Sequence, residues 1–150
     1  MKFKYLVMGI FSKGIQAFRL YKLRMLGYKN ISHSAIIESN LNLDRVHPQG
    51  IHIGANTLVA SRTTILCHEH VKRDLIDSRN PWVTDTYIGK NCFIGVGAII
   101  LPGVTIGDEV IIGASSVVTK SIPSYSVAVG NPARVIRTGI KMNDKAILIR

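Results

Sequence analysis

Large aliphatic residues recur at every sixth position in the second half of the chain. The series is Ile88, Ile94, Ile100, Ile106, Ile112 and Val118. A period of six fits neither an α-helix nor the alternation of a strand, but it fits a parallel β-helix built from hexapeptides. Three hexapeptides then make one coil, residues 18 apart stack, and each coil buries its face against its neighbours. A β-sandwich of short strands is the alternative, and the unbroken phase from 88 to 118 argues against it.

The same period occurs earlier, with two interruptions. It runs through Ile31, Ile37 and Leu43, and again through Ile53, Val59, Ile65 and Val71. About four residues are inserted between Leu43 and Ile53, and residues 72–87 break the rhythm before Ile88. Glycine often follows the aliphatic residue, as at Gly89 and Gly95, where we expect it to permit tight corners with backbone angles that bulky residues avoid. The position four residues after the aliphatic one is small or mid-sized, as at Cys92, so Cys92 is expected in the core.

The chain divides into three segments. Residues 3–26 have apolar residues at three- and four-residue steps with basic residues between them, so residues 1–30 are predicted as a basic amphipathic helical segment. Residues 31–123 form the predicted β-helix, with a loop at 72–87, and residues 124–150 form a C-terminal segment. A length of 150 residues and a hydrophobic fraction of 47% indicate one globular domain.

The positive charge is concentrated before the coils. The net charge is +10, and residues 1–30 hold seven Lys and Arg residues but no Asp or Glu. Such a segment suits an anionic partner such as a membrane surface, nucleic acid or an acidic substrate. The apolar run at 5–11 is too short to span a bilayer and lacks the cleavage site of a signal peptide. Two cysteines without a CxxC motif favour a reducing compartment. We therefore expect a cytoplasmic protein, with residues 1–26 capping the open end of the coils, contacting the inner face of an anionic membrane, or doing both.

Residues 89–137 contain the motifs "PGVTIGDEVIIGASSVVTK" and "GNPARVIR". With the hexapeptides before them, they resemble the hexapeptide-repeat acyltransferases over roughly residues 31–138. Within that family the chain looks most like the O-acetyltransferases that act on galactosides, maltose, capsule, colanic acid or lipopolysaccharide. The resemblance implies an all-β, left-handed parallel β-helix with a short N-terminal helical segment. It also implies a homotrimer with active sites between subunits, acetyl-CoA in the groove between neighbouring β-helices, and a C-terminal segment that closes this site.

The segment "TILCHEHV" contains the candidate base. Transfer of an acetyl group to a hydroxyl needs a general base, for which histidine is suited. The family's histidine lies 16 residues after the glycine of the preceding "IG[DN]N" hexapeptide. Here that glycine is Gly54, so the resemblance indicates His70, with His68 as the second candidate or as a polar residue lining the cleft. No metal is expected, because a pair of histidines lacks the third and fourth ligands of a site. Glu69 either orients a histidine or marks a local distortion of the coil.

Two further residues are candidates for binding the acceptor. The resemblance carries an acceptor-contacting asparagine to Asn40, and the alternative is a corner residue in the left-handed conformation. Trp82 lies in the predicted loop and is expected either to stack on a sugar ring or to pack the loop onto the coils.

The resemblance also implies residues that contact acetyl-CoA. Val96 and Ala114, one coil apart, match positions whose backbone contacts the pantetheine arm. Thr119 and Lys120 match the adenine and phosphate end, and Arg134 and Arg137 match the basic residues of the terminal motif. Without the motif, the three cationic residues would be read as solvated surface charge.

The sequence therefore predicts an acetyl-CoA-dependent O-acetyltransferase that acts on a saccharide by direct transfer. An N-acetyltransferase acting on an amino sugar, or a serine acetyltransferase, is the second enzyme hypothesis. A non-catalytic β-helical scaffold or nucleic-acid binder is the third, and the absence of any nucleic-acid-binding motif argues against nucleic acid as a partner.

Overall fold

The computed structural model describes residues 2–70 and 82–149, with side chains from residue 13 onward. The predicted inward position of Val71 and residues 72–81 of the predicted loop lie outside the described residues. Helix α1 spans Lys2–Met25. The strands are β1 Ile36–Ile37, β2 Asn42–Leu43, β3 Ile51–Ile53, β4 Leu58–Val59, β5 Thr64–Ile65, β6 His68–Glu69, β7 Trp82–Val83, β8 Thr86–Ile88, β9 Phe93–Ile94, β10 Ile99–Ile100, β11 Thr105–Ile106, β12 Ile111–Ile112, β13 Val117–Val118, β14 Ser126–Gly130 and β15 Ala133–Thr138. A short 3₁₀ turn covers Pro48–Gly50.

The chain visits three parallel sheets in turn, as the period of six predicts for a β-helix. In the described residues the sheet orders are β1-β4-β9-β12-β14, β2-β5-β10-β13 and β3-β8-β11, and β15 extends the first sheet antiparallel to β14. Ile88 pairs with Ile106, Ile94 with Ile112 and Ile100 with Val118, so residues 18 apart stack as predicted. The protein consists mostly of strands with α1 at one end.

The inward residues of the repeat form the core. Ile65, Ile94, Ile100 and Ile112 are completely buried, and Ile106 is 1% exposed. Cys92 is completely buried as well, which confirms its predicted place in the core. Burial raises the pKa of the Cys92 thiol to about 11.

Both interruptions of the repeat lengthen a coil without changing its register. Leu43 pairs with Ile65, a separation of 22 residues instead of 18, which accounts for the insertion of about four residues. Ile65 pairs with Ile100, a separation of 35 residues that contains β6, β7 and the chain between them. The inward positions therefore stay stacked on both sides of each insertion.

The glycines after the inward residues serve close packing between coils, and our expectation of unusual corner angles for them is wrong. A Cβ placed on Gly89 would lie 2.6 Å from the backbone carbon of Gly107, and neither residue has a positive φ. The left-handed corners are instead occupied by other residues, including Asn40, Asn56 and Asn91. Asparagine tolerates this region better than most side chains.

Substitution of Gly89 tests this packing. We expect Gly89→Ala to lower the free energy of unfolding by about 2–4 kcal/mol, because the methyl group meets backbone that cannot move without shifting a coil. Gly14→Ala is the matched control, since a Cβ at Gly14 of α1 has nothing within 4 Å and alanine stabilises a helix interior by about 1 kcal/mol. Denaturant unfolding at one protein concentration measures both. Equal stabilities of the two variants would contradict the packing argument.

Helix α1 covers the edge strand of the first coil. The Arg19 guanidinium donates to the Ile37 carbonyl at 3.1 Å, and the Ile37 N–H donates to the Gln16 side-chain oxygen at 3.1 Å. Leu20 is 6% exposed and Leu23 packs against the core. The helix thus satisfies backbone groups that an open sheet edge would leave unpaired, which is the capping role that solenoids require.

The C-terminal segment covers the outer face of the first sheet. The repeat continues past the predicted boundary at residue 123, since Val127 and Ala128 of β14 pair with β12. Ile140, Met142 and Ala146 then pack with outward residues of the same sheet, which are Leu58, Phe93, Ile111 and Val127. The apolar outer residues of this sheet are explained by this cover.

Candidate active site

A buried carboxylate holds His68 at the edge of the coils. The pairing of β2 with β5 places Asp44 beside the chain that leads to His68, and the Asp44 N–H donates to the Ile65 carbonyl at 3.0 Å. Asp44 Oδ2 lies 2.5 Å from His68 Nδ1, and the carboxylate side chain has no exposed surface. The His68 side chain is 21% exposed, so the pair combines an inaccessible anion with a ring that reaches solvent.

Backbone groups also bind this carboxylate. Its Oδ1 accepts from the N–H groups of Val46 at 2.8 Å and His47 at 3.0 Å, and its Oδ2 accepts from Cys67 N–H at 2.6 Å. Burial raises the pKa of the Asp44 carboxyl, but the hydrogen bonds from Cys67, His47, His68 and Val46 outweigh burial and leave the pKa below its ordinary value. Asp44 is therefore an anion near neutral pH.

The ionised carboxylate fixes the tautomer of His68. A carboxylate only accepts hydrogen bonds, so His68 Nδ1 carries the proton that it donates to Asp44. In the neutral ring, Nε2 is then left as an acceptor, which is the state that a general base needs. Asp44 also fixes the orientation of the ring, because its own position is set by three backbone donors.

His70 lies beside this pair. Its ring centroid is 5.3 Å from that of His68, and the two ring planes meet at 84°. His70 is exposed, whereas His68 is half-buried. The structure therefore brings both predicted histidines to one place.

Glu69 belongs to a local departure from the coil. Strands β6 and β7 form an antiparallel pair in which Glu69 lies opposite Trp82 and His68 lies opposite Val83. Glu69 is half-buried and does not occupy an inward core position. This agrees with the interpretation of Glu69 as the mark of a distortion. The carboxylate that orients His68 is Asp44.

Trp82 is available to a ligand at this edge. It is 57% exposed, so among the described residues it does not pack into the coils. It lies opposite Glu69 in the neighbouring strand, whereas Val83 lies opposite His68, so the indole and the His68 ring project from opposite faces of this strand pair. An exposed indole in this position suits stacking on the apolar face of a ring.

Asn40 lies at a left-handed corner, with a φ of 59°, as one of its two interpretations predicts. It lines a groove of about 300 Å³ between α1 and the first coil, together with Arg19, Lys22 and Arg45. This groove is distinct from the histidine pair, although Leu43 and Arg45, which flank Asp44 in the chain, both line it.

The residues matched to acetyl-CoA contacts lie on exposed surface. Val96 and Ala114 stack on adjacent coils, where the Ser115 N–H donates to the Val96 carbonyl at 2.9 Å. Val96 is 39% exposed, and Ala114, Thr119 and Lys120 are exposed.

A bulge brings Arg134 and Arg137 to the same face of β15. Arg134 pairs with Val129 and Arg137 with Val127, and the register shift leaves Ile136 without a partner. Residues three apart on a regular strand point to opposite faces, so the extra residue re-aims one of the two arginines. Two guanidinium groups on one face suit a ligand with phosphate groups.

A second carboxylate, which the sequence interpretation missed, holds two other histidines. Asp85 Oδ1 lies 2.9 Å from His47 Nε2, and Asp85 Oδ2 lies 2.9 Å from His52 Nε2. These hydrogen bonds, that of His47 foremost, hold the pKa of the Asp85 carboxyl below its ordinary value. The His52 ring stacks on Tyr87 with centroids 4.3 Å apart. In the described part of the chain, no group of three His, Cys, Asp or Glu side chains has the arrangement of a metal site.

Parallel coils whose inward residues recur at every sixth position define this protein as a hexapeptide-repeat protein. Comparison with known proteins agrees. The bacterial transferase hexapeptide (six repeats) family matches residues 85–120. Galactoside O-acetyltransferase of Escherichia coli (strain K12) is 42% identical over 108 residues, which cover 71% of this chain and 52% of that protein. Galactoside O-acetyltransferase of Lactococcus lactis (strain IL1403) is 39% identical over 119 residues, covering 79% of this chain and 56% of that protein.

Solved structures extend the likeness. A maltose O-acetyltransferase from Clostridium difficile 630 is 36% identical with a TM-score of 0.64, over 77% of this chain and 72% of that one. A galactoside acetyltransferase in complex with coenzyme A is 26% identical with a TM-score of 0.57, over 85% and 82%. The chain belongs to the hexapeptide-repeat transferase family. It spans about half the length of the curated relatives that it matches.

Proposed function

We propose that this chain transfers an acetyl group from acetyl-CoA to a hydroxyl group of a saccharide. The observation that carries the proposal is the His68–Asp44 pair, which holds a half-buried imidazole in the tautomer of a general base. Relatives named galactoside and maltose O-acetyltransferases support the substrate class, and the relative solved with coenzyme A supports the donor.

The proposed reaction is direct. His68 Nε2 takes the proton of the acceptor hydroxyl as its oxygen attacks the thioester carbonyl, and a backbone N–H stabilises the oxyanion. The tetrahedral intermediate then breaks its C–S bond and releases CoA, whose thiolate takes the proton from the His68 imidazolium. Acetyl-CoA supplies the activated acyl group. A covalent acyl-cysteine is disfavoured, because Cys67 and Cys92 are completely buried and burial raises the pKa of both thiols.

The choice of His68 departs from the register-based prediction of His70. The buried carboxylate supports His68 as the base, and we place His70 beside it as a residue that contacts the acceptor or the thioester. His70 as the base stays a prediction that mutagenesis decides. Trp82 is a proposed acceptor contact, because its indole is exposed on the strand paired with β6. Asn40 as an acceptor contact stays a prediction from the resemblance, since the groove that it lines is distinct from the histidine pair.

The proposed acetyl-CoA site uses the exposed residues near the C-terminal end of the coils. Val96 and Ala114 offer backbone groups along one corner, and Thr119, Lys120, Arg134 and Arg137 take the adenine and phosphate end. We further propose left-handed coils, a homotrimer with this site at the contact between copies, and a cytoplasmic location, where the reduced thiols and acetyl-CoA are compatible.

The decisive experiment separates binding from turnover. Calorimetry with acetyl-CoA alone tests the donor site, and release of free CoA is then followed with a panel of hydroxyl sugars, amino sugars and serine. We expect acetyl-CoA binding and CoA release with a hydroxyl sugar. Absence of acetyl-CoA binding would contradict the proposal and support the scaffold hypothesis. Release of CoA only with amino sugars would indicate an N-acetyltransferase. Release of CoA only with serine would indicate a serine acetyltransferase.

The two arginines on β15 give a further prediction. Arg134→Gln with Arg137→Gln is expected to raise the KM for acetyl-CoA about tenfold with little change in kcat, since charge-assisted hydrogen bonds to phosphates are lost. Lys141→Gln with Lys145→Gln is the matched control, because both lysines are exposed and the same charge is removed. An equal rise in KM in the control would indicate a general charge effect in place of a site on β15.

A further inference from the structure

The side of α1 that faces away from the coils carries large apolar residues. Phe18 is 68% exposed, Tyr21 61% and Met25 70%. Their spacing of three and four residues puts them on one side of the helix. We name Phe18, Tyr21 and Met25 the α1 stripe. Large apolar side chains in a contiguous exposed row mark an interaction surface.

The stripe is exposed although the helix itself is docked. Gln16 and Arg19 bind the backbone of Ile37, and Leu20 is 6% exposed on the side that faces the coils. Because these contacts fix the rotation of α1, the helix cannot turn its stripe toward the core without breaking them.

Exposed lysines lie on the same segment as the stripe. Lys13, Lys22 and Lys29 are exposed, and residues 1–30 contain no Asp or Glu. The two arginines of this part of the helix are already hydrogen-bonded within the protein. Arg19 donates to the Ile37 carbonyl and Arg24 donates to the Ile31 carbonyl. The segment that carries the apolar row is therefore net positive, with Lys22 next to the row, and it contains no acidic residue.

The groove beside α1 opens next to the stripe. Lys22 of α1 and Leu26, which directly follows the helix, are exposed and also line the groove of about 300 Å³. Arg19 and Arg45 line the same groove. Glu38 lines the groove as well, and its Oε2 accepts from the Ser61 N–H and hydroxyl at 2.7 Å. The groove therefore carries three cationic side chains and one carboxylate, so its lining is net positive.

We propose that α1 docks this protein on an anionic phospholipid bilayer, with the stripe in the interfacial layer and the lysines at the headgroups. Apolar and aromatic residues bordered by lysine are typical of helices that lie in the membrane plane. No helix in the described residues is long and apolar enough to cross a membrane. A second copy docked stripe to stripe would bring lysines against lysines, and no nucleic-acid-binding motif occurs in the sequence. The proposal does not depend on acetyl transfer.

Flotation of the full chain with vesicles tests the surface. Vesicles of phosphatidylcholine are compared with vesicles containing about one third phosphatidylglycerol, the anionic component to which basic segments respond. We expect binding to the anionic vesicles to exceed binding to neutral ones about tenfold, and to fall with added salt. Phe18→Ser with Tyr21→Ser and Met25→Ser is expected to lower this binding about tenfold or more, with all charges retained.

Matched variants separate the contributions. Ile147→Ser with Ile149→Ser removes apolar residues that are 55% and 56% exposed at the other end of the chain, and no loss of binding is expected. Lys13→Gln with Lys22→Gln should weaken binding to anionic vesicles, whereas Lys141→Gln with Lys145→Gln, an equal loss of charge away from α1, should not. Circular dichroism verifies that each variant is folded.

Each outcome has a consequence. Unchanged binding of the folded triple serine variant, or equal binding to neutral and anionic vesicles, would overturn the proposal. Light scattering measures the oligomeric state of the same samples. If the triple serine variant loses an oligomer that the wild type forms while vesicle binding stays the same, the stripe contacts a second copy and the proposal is wrong.

Discussion

His68→Ala is expected to lower kcat about 10²–10⁴-fold, the usual contribution of a positioned general base. The KM for acetyl-CoA should change little, because the ring acts on the acceptor hydroxyl. His70→Ala is expected to lower kcat by about tenfold or less, since an exposed neighbour affects binding more than proton transfer. The measurement is CoA release on the acceptor found in the sugar panel, with acetyl-CoA affinity determined separately by calorimetry.

Asp44→Asn adds a test of the tautomer. The amide presents a donor where the carboxylate accepted, so His68 Nδ1 is driven to accept and the proton moves to Nε2. We expect kcat to fall about 10²–10⁴-fold with acetyl-CoA affinity retained, as removal of the corresponding carboxylate does in hydrolase triads. A purely structural role of Asp44 would alter stability and affinity together. If His68→Ala kept full activity and His70→Ala lost it, the assignment of His68 as the base would be wrong. His70, which the sequence register predicts, would then be the base.

The periodic part of the fold could be predicted because each hexapeptide repeats the same physical requirement. Every sixth residue must be apolar to fill the interior, so the pairings of Ile88 with Ile106 and Ile94 with Ile112 follow from the sequence. The extra residues between Leu43 and Ile53 also showed as a break in phase. The role of the glycines was predicted incorrectly. Gly89 is required by its close approach to the backbone of Gly107 in the next coil, and neither residue has the positive φ that we expected.

The candidate site could be predicted only in part. His68 and His70 could be recognised in the sequence as polar residues between inward positions. Asp44, which binds His68, is 24 residues away from it in the chain and lies where the first insertion starts. A carboxylate directly after an inward residue, at a break in the repeat, was the available signal. The Asp85 cluster was missed for the same reason, because Asp85 is 38 residues from His47 and 33 residues from His52 in the chain.

Asp44 also links the site to the stability of the fold. Asp44→Ala is expected to lower the free energy of unfolding by about 3–5 kcal/mol, because the buried N–H of Cys67 and the partly buried N–H groups of Val46 and His47 lose their acceptor. Asp85→Ala is the matched control. The Asp85 side chain is 36% exposed and its histidine partners reach solvent, so a smaller loss is expected.

The same carboxylate predicts how stability depends on pH. The folded-state pKa of Asp44 lies below its unfolded value, so folding favours the ionised form. Its contribution is fully present above about pH 4, the ordinary pKa of an aspartate, and it is lost as the pH falls through the lower folded-state pKa. Thermal unfolding of the wild type should therefore show a decline in melting temperature below about pH 4 that is shallower in Asp44→Asn. Identical acid limbs in the two proteins would mean that Asp44 does not remain ionised in the folded state, and the tautomer argument for His68 would fail with it.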